Sequence, residues 1–177
     1  MFLKLSPYHM LRRNYFGNPS CILISRCVSL VYDKRLKYIV DFAYYIELLK
    51  NKIQVRHISQ ILITVGINEL QVTNYTYMNL AVQMYENHIL IEKEGIGMLG
   101  NIVAFDYFWR IYRRFNISSV ADIEPFFKGP IDIKLIKMIS FQSFIPPRLL
   151  KIGVLSKLFM SICFLFLSVS GPASKKS

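Results

Sequence analysis

The sequence predicts an all-α protein, with short helical hairpins stacked in a small repeat-like domain and an apolar C-terminal helix. Three observations carry this expectation. Apolar residues recur at helical spacing in stretches separated by Gly, Asn or Ser breaks. Hydrophobic residues are 53% of the chain and aromatic residues 14%, a composition that excludes a disordered chain. A length of 177 residues suffices for one domain with a real core and is too short for two generous ones.

The formal net charge is +11, which favours a polyanionic neighbour such as RNA, DNA or an anionic membrane surface. The charge is uneven. Residues 1–32 hold Lys4, Arg12, Arg13 and Arg26 with no acid, residues 57–95 are net −3, and no acidic residue follows Asp132. Composition therefore divides the chain into a basic segment 1–32, a helical domain 33–147 and a C-terminal segment 148–177 with a basic tail.

The first segment, rich in Ser, Leu and aromatic residues and free of carboxylates, has the composition of a mitochondrial targeting segment. The other reading is a basic arm that lies on RNA. From Lys34 to Lys50, Leu36, Ile39, Val40, Ala43, Ile46 and Leu49 share one stripe, which predicts an amphipathic helix. Lys37 and Asp41 stand four apart and are placed to pair. Lys34, Arg35 and Lys37 fall in the first turn of that helix, where its dipole disfavours cations and a negative neighbour would relieve them.

Ile58, Ile61, Leu62 and Val65 predict a short helical face that ends at Gly66. Asn74 is placed to cap a second helix, on which Tyr77, Leu80, Ala81, Met84, Tyr85 and His88 recur at helical spacing. The two helices together predict an αα-hairpin. "EKEG" reads as a solvated loop. A second pair is predicted to begin at Ile96, with Leu99, Ile102, Val103, Tyr107 or Phe108, and Ile111 on one side. A shift of 38 residues lays "ISQI" on "IGML", a period in the range of helical-hairpin repeats. Asn116 to Ser119 is a break with a capping serine, followed by a short helix ended near Pro125. "IDIKLIKMISFQSF" fits either strand or helix, and Pro146-Pro147 ends it.

The C-terminal stretch from Ile152 to Ser170 is 19 residues interrupted by one charge, Lys157. It reads as a last hydrophobic helix or strand, here taken as helix, that packs on the domain or into a partner. A membrane contact through residues 152–170 is the second reading.

The unit "HISQILITVGINELQVTNYTYMNLAVQMYENHILIEKEG" resembles one repeat of the degenerate helical-hairpin proteins of organelles. These include the RAP-domain and heptatricopeptide-like proteins of apicomplexan mitochondria, similar in style to the FAST-kinase-domain proteins. Ile58, Ile61, Leu62, Tyr77, Leu80 and Ala81 stand at the matching places, and the resemblance covers residues 35–128. It implies binding to organelle RNA or a place in a mitochondrial ribosome, beside RNA and neighbouring ribosomal proteins.

No P-loop, nucleophile elbow, H-E-x-x-H helix or Gly-rich dinucleotide turn occurs. Cys21, Cys27 and Cys163 form no C-x-x-C, and His9, His57 and His88 are scattered, so no metal site or cofactor is expected. The expectation is a non-catalytic, structural RNA-associated protein of a mitochondrial ribosome or another organelle ribonucleoprotein. The alternative is a small accessory subunit of a mitochondrial inner-membrane complex, anchored by its C-terminal segment.

The strongest local candidate for RNA contact is "WRIYRRF". There Arg110, Arg113 and Arg114 would grip phosphates while Tyr112 stacks a base. Lys34, Arg35 and Lys37 are the second candidate. Against the first stands a plain structural reading, in which Trp109 and Phe115 are core and Asp106 pairs with Arg110 four residues on.

Overall fold

All regular structure in the computed structural model, which describes residues 6–64, 66 and 75–169, is helical. The α-helices are α1 (Val40–Lys50), α2 (Leu80–Glu94), α3 (Ile102–Arg114), α4 (Ile133–Ser143), α5 (Pro147–Lys151) and α6 (Gly153–Val169). Short 3-10 helices lie at Pro7–Leu11, Pro19–Cys21, Ile96–Gly100, Val120–Asp122 and Glu124–Phe126. The chain divides into two compact units, Met1–Lys93 and Glu94–Ser177, and the break falls inside the stretch 33–147.

In the first unit, α1 packs against the 3-10 helix Pro7–Leu11, whose Met10 and Leu11 are buried. The acid-free N-terminal segment lies along α1 by aromatic contacts. Phe16 meets Tyr45 edge-on at 5.1 Å, Tyr32 stacks on Tyr44 at 4.3 Å, and the Tyr45 hydroxyl donates to the Gly17 carbonyl at 3.3 Å. This second contact explains why Tyr44 and Tyr45 are buried, and Leu48 is buried as well, together with the expected Leu36, Ile39, Ala43 and Ile46.

α1 starts at Val40, so Lys34, Arg35 and Lys37 precede the helix instead of occupying its first turn. The reason is Glu86 on α2. Its carboxylate accepts the N–H groups of Lys37 at 2.8 Å, Tyr38 at 2.9 Å and Ile39 at 2.9 Å. Those donors are turned onto a side chain, and Ile39, at the N-cap, has no side-chain acceptor of its own. The expected Lys37–Asp41 pair is not among the ion pairs of the described residues.

Residues 53–64 form no helix, and Ile58, Ile61 and Leu62 are 56%, 94% and 62% exposed. The expected first helix of the hairpin is therefore not formed there. One apolar turn that includes the β-branched Ile61, Ile63 and Thr64 is too short to nucleate a helix without a surface to pack on. Val65 and the expected cap Asn74 lie outside the described residues. The cap of α2 is Asn79, whose side-chain oxygen accepts the Val82 N–H at 3.1 Å.

α2 also buries a different face from the one expected. Of Tyr77, Leu80, Ala81, Met84, Tyr85 and His88, only Met84 is buried. The buried face carries the polar residues Gln83, Glu86 and Asn87 beside Ile89, Leu90 and Ile91. Gln83 Nε2 donates to the Thr76 carbonyl at 3.1 Å, and Asn87 Nδ2 donates to the Gln83 carbonyl at 2.7 Å. The expected loop "EKEG" is instead the last turn of α2, ended by Gly95 at φ +78°.

In the second unit, Asn101 caps α3, with its side-chain oxygen accepting the Val103 N–H at 3.0 Å. Asn116, at φ +52°, ends it. The buried residues of α3 are Ala104, Phe105, Phe108, Trp109, Ile111 and Tyr112, while Ile102 is exposed and Val103 and Tyr107 are half-buried. Ile96–Gly100 is a 3-10 helix and 58–61 has no helix, so the two stretches overlaid at 38 residues differ in structure.

Ser119 and Asp122 form a capping box on Val120–Asp122. Pro125 sits in the first turn of Glu124–Phe126 instead of ending a helix, a place where its missing N–H is not needed. Asp132 caps α4 by accepting the Lys134 N–H, which settles the strand-or-helix alternative as helix. α6 packs on α3, α4 and α5. The Trp109 indole N–H donates to Ser156 Oγ at 3.0 Å, Gln142 Nε2 donates to the Trp109 carbonyl at 3.0 Å, and Phe105 meets Phe164 edge-on at 5.2 Å.

Candidate nucleic-acid interface

α3 ends in Arg110, Ile111, Tyr112, Arg113 and Arg114, and the helix turn distributes these side chains to three environments. Arg110 Nε donates to Asp106 Oδ2 at 3.1 Å and to the Asp106 carbonyl at 3.3 Å. This is the i, i+4 pair that the plain structural reading of the segment names. Tyr112 is 1% exposed and Trp109 likewise 1%. Tyr112 therefore cannot present its ring to a base without unfolding α3, which corrects the stacking role expected of it. The cause is the packing of α4 and α6 on α3, a long-range fact that local spacing does not contain.

Arg113 and Arg114 stay at the surface of the unit. They line an open cleft of about 450 Å³ together with Lys151, Asn116, Ser118 and the α4–α5 junction near Ser143 and Ile145. Arg113 is held in place by donation from Nη1 to the Leu150 carbonyl at 3.0 Å, which ties the end of α3 to α5. Its remaining guanidinium donors are oriented by that anchor.

The electrostatics of the cleft are one-sided. Three cations line it and no carboxylate does among the described residues. The nearest acid in sequence, Asp122, is turned onto backbone. Its Oδ2 accepts the N–H of Ser118 at 2.8 Å, the N–H of Ser119 at 2.9 Å and the Ser118 hydroxyl at 3.2 Å. These donors, the Ser118 N–H first, hold its pKa below the ordinary aspartate range. The carbonyl end of the α3 dipole already favours cations here, which accounts for part of the reason that Arg113 and Arg114 sit in this turn. A cationic lining of this kind is suited to an anion with several acceptor oxygens.

Lys34, Arg35 and Lys37, in the first unit, form a weaker set. Arg35 is paired with Asp33 at 2.9 Å and with Glu92 at 3.3 Å, so two carboxylates already answer its charge. Asp33 is held below the ordinary range, first by its side-chain bond to Arg35. Lys34 and Lys37 are exposed. Lys93, next along α2, is paired with Glu47.

The sequence pattern points to Arg113 and Arg114 but not to Lys151, Asn116 or Ser118. The one available signal was the Pro146-Pro147 break, which turns the chain so that α5 follows at once. No known protein family, curated protein or solved structure matches this chain. No helix among the described residues is long and apolar enough to cross a membrane.

Proposed function

We propose that this chain is a structural, non-catalytic RNA-associated protein of a mitochondrial ribosome or a similar organelle ribonucleoprotein. Its phosphate contact is the cleft between the end of α3 and α5. The observation that carries the reading is the convergence of Arg113, Arg114 and Lys151 on one cleft without a lining carboxylate. The net charge of +11 and the acid-free stretch after Asp132 supply a wider attraction for a polyanion. Because Tyr112 is core, recognition is read as backbone gripping, with shape and charge in place of base stacking. Arg110 supports the end of α3 through Asp106, while Lys34 and Lys37 add outlying positive charge.

The mitochondrial assignment rests on the acid-free composition of residues 1–32, and the resemblance of residues 35–128 to helical-hairpin organelle proteins supports the same class. Any hairpin stacking in this reading is confined to the second unit, where a 3-10 helix, α3 and two further 3-10 turns follow one another.

The test is fractionation of the tagged chain from detergent-solubilised organelles on a density gradient, with and without RNase. Co-migration with large ribosomal RNA that collapses on RNase supports the reading. Migration indifferent to RNase overturns it.

A further inference from the structure

We propose that the cleft between the end of α3 and α5 holds the phosphomonoester at an end of an RNA chain, in preference to the phosphodiesters between nucleotides. The inference rests on the reading of that cleft as the RNA contact, and it names the part of the RNA that enters. Its first support is charge. Arg113 and Arg114 come from α3 and Lys151 from α5, with no lining carboxylate among the described residues. Arg113 gives one donor to the Leu150 carbonyl, and Lys151 makes no hydrogen bond or ion pair among the described residues. An internal phosphodiester brings a single negative charge to this set. A phosphomonoester brings about two near neutral pH, since its second pKa is about 6, and it presents three strong acceptor oxygens.

The second support is shape. The inner lining of the cleft is Ile117, Gln142, Ile145 and Leu150, all of them buried. Gln142 is turned away into the core, where its Nε2 donates to the Trp109 carbonyl. A cleft closed on that side is entered from its mouth, by a group with one attachment to its chain. An internal phosphate is attached on two sides and lies along a surface instead.

The charged lining is Arg113, Arg114 and Lys151 alone among the described residues, and no histidine faces it. Asp122, beside Ser118, accepts from the Ser118 and Ser119 N–H groups, which hold it below the ordinary aspartate range. A change in binding between about pH 5.5 and about pH 7.5 therefore reports the second ionisation of the phosphomonoester.

The test is fluorescence anisotropy of the full chain with a short oligouridine that carries a 5′-phosphate, a 3′-phosphate or hydroxyl groups at both ends. A phosphorylated form should bind about tenfold tighter than the hydroxyl form, and the form that gains names the end. That gain should shrink about threefold when the pH is lowered from about 7.5 to about 5.5. It should shrink similarly in Lys151→Gln, a change at an exposed position that leaves the core untouched. Equal affinity for the three oligomers, weakened alike by Lys151→Gln and Arg113→Gln, overturns the proposal and leaves the cleft as a contact for internal phosphates. Absence of binding, or binding that neither variant weakens, overturns the RNA reading of the cleft as well. Tighter binding of a phosphoserine peptide than of the phosphorylated RNA assigns the cleft to protein and also overturns both.

Discussion

The buried carboxylate of Glu86, on α2, accepts the backbone N–H of Ile39 at 2.9 Å, and so the start of α1 is set by a side chain 47 residues away. Lys37 and Tyr38 donate to the same carboxylate. Three donors satisfied by one charged group make Glu86 worth more than an ordinary N-cap. Glu86→Ala leaves them unpaired in a buried place and should cost about 3 kcal/mol. Glu86→Gln, which keeps one acceptor oxygen, should cost less. Urea unfolding of both variants measures the difference.

The indole of Trp109 depends on Ser156 in the same way, through one bond at 3.0 Å. Ser156→Ala should destabilise the second unit by about 1–3 kcal/mol, because the buried N–H then has no acceptor. Ser156→Thr, which retains a hydroxyl, should recover part of that loss in thermal denaturation.

Asp41, in the first turn of α1, has its pKa raised by burial. In the folded chain it therefore takes up a proton at a higher pH than in the unfolded chain. Its contribution is favourable below the unfolded value of about 3.9 and is lost as pH rises through the raised folded value. Asp41→Asn should accordingly be more stable than the parent at neutral pH, and the gain should shrink as the pH is lowered toward 4. Melting temperatures measured across that range give the sign.

Cys163 is buried in α6, and burial pushes its thiol up to about 11. Cys21 and Cys27 are exposed. A thiol reagent at pH 8 should label those two quickly in the native chain, and Cys163 only when denaturant opens the second unit. Fast labelling of Cys163 in the native chain would contradict the packing of α6 on α3 and α4.

Removing single charges from the cleft should weaken RNA binding without sequence preference. Arg113→Gln and Lys151→Gln are each expected to reduce the slope of log affinity against log salt by about 0.7–0.9. Tyr112→Phe should leave that slope unchanged, because the ring is enclosed and its hydroxyl has no partner among the described residues. Titration of a single-stranded and a duplex RNA at several salt concentrations checks all three.

The helical class is legible from spacing, and the end of α3 from the break at Asn116, but its start is not, because the apolar spacing runs on from Ile96, where the chain forms a 3-10 helix before Asn101 caps α3. Azimuth was less legible. The buried face of α2 carries Gln83, Glu86 and Asn87, and a reading that counts only apolar residues turns such a helix the wrong way. The stretch at Ile58 failed for the opposite reason, because its apolar turn has nothing to pack on and remains exposed. At the cleft, two of its three cations were visible as a cluster at Arg113 and Arg114. Lys151 was not, because a proline turn and a bond from Arg113 to the Leu150 carbonyl bring it there.

Trp109 is the single tryptophan of the chain and lies in the core of the second unit. The core of the first unit is instead built around tyrosines, with Tyr44 and Tyr45 at its centre. Intrinsic fluorescence excited at the indole band thus times the melting of residues 94–177 alone, while any fluorophore placed at exposed Cys21 or Cys27 times the other unit. Coincident transitions would mean that the chain unfolds as one cooperative body, and separated ones that it carries two stabilities.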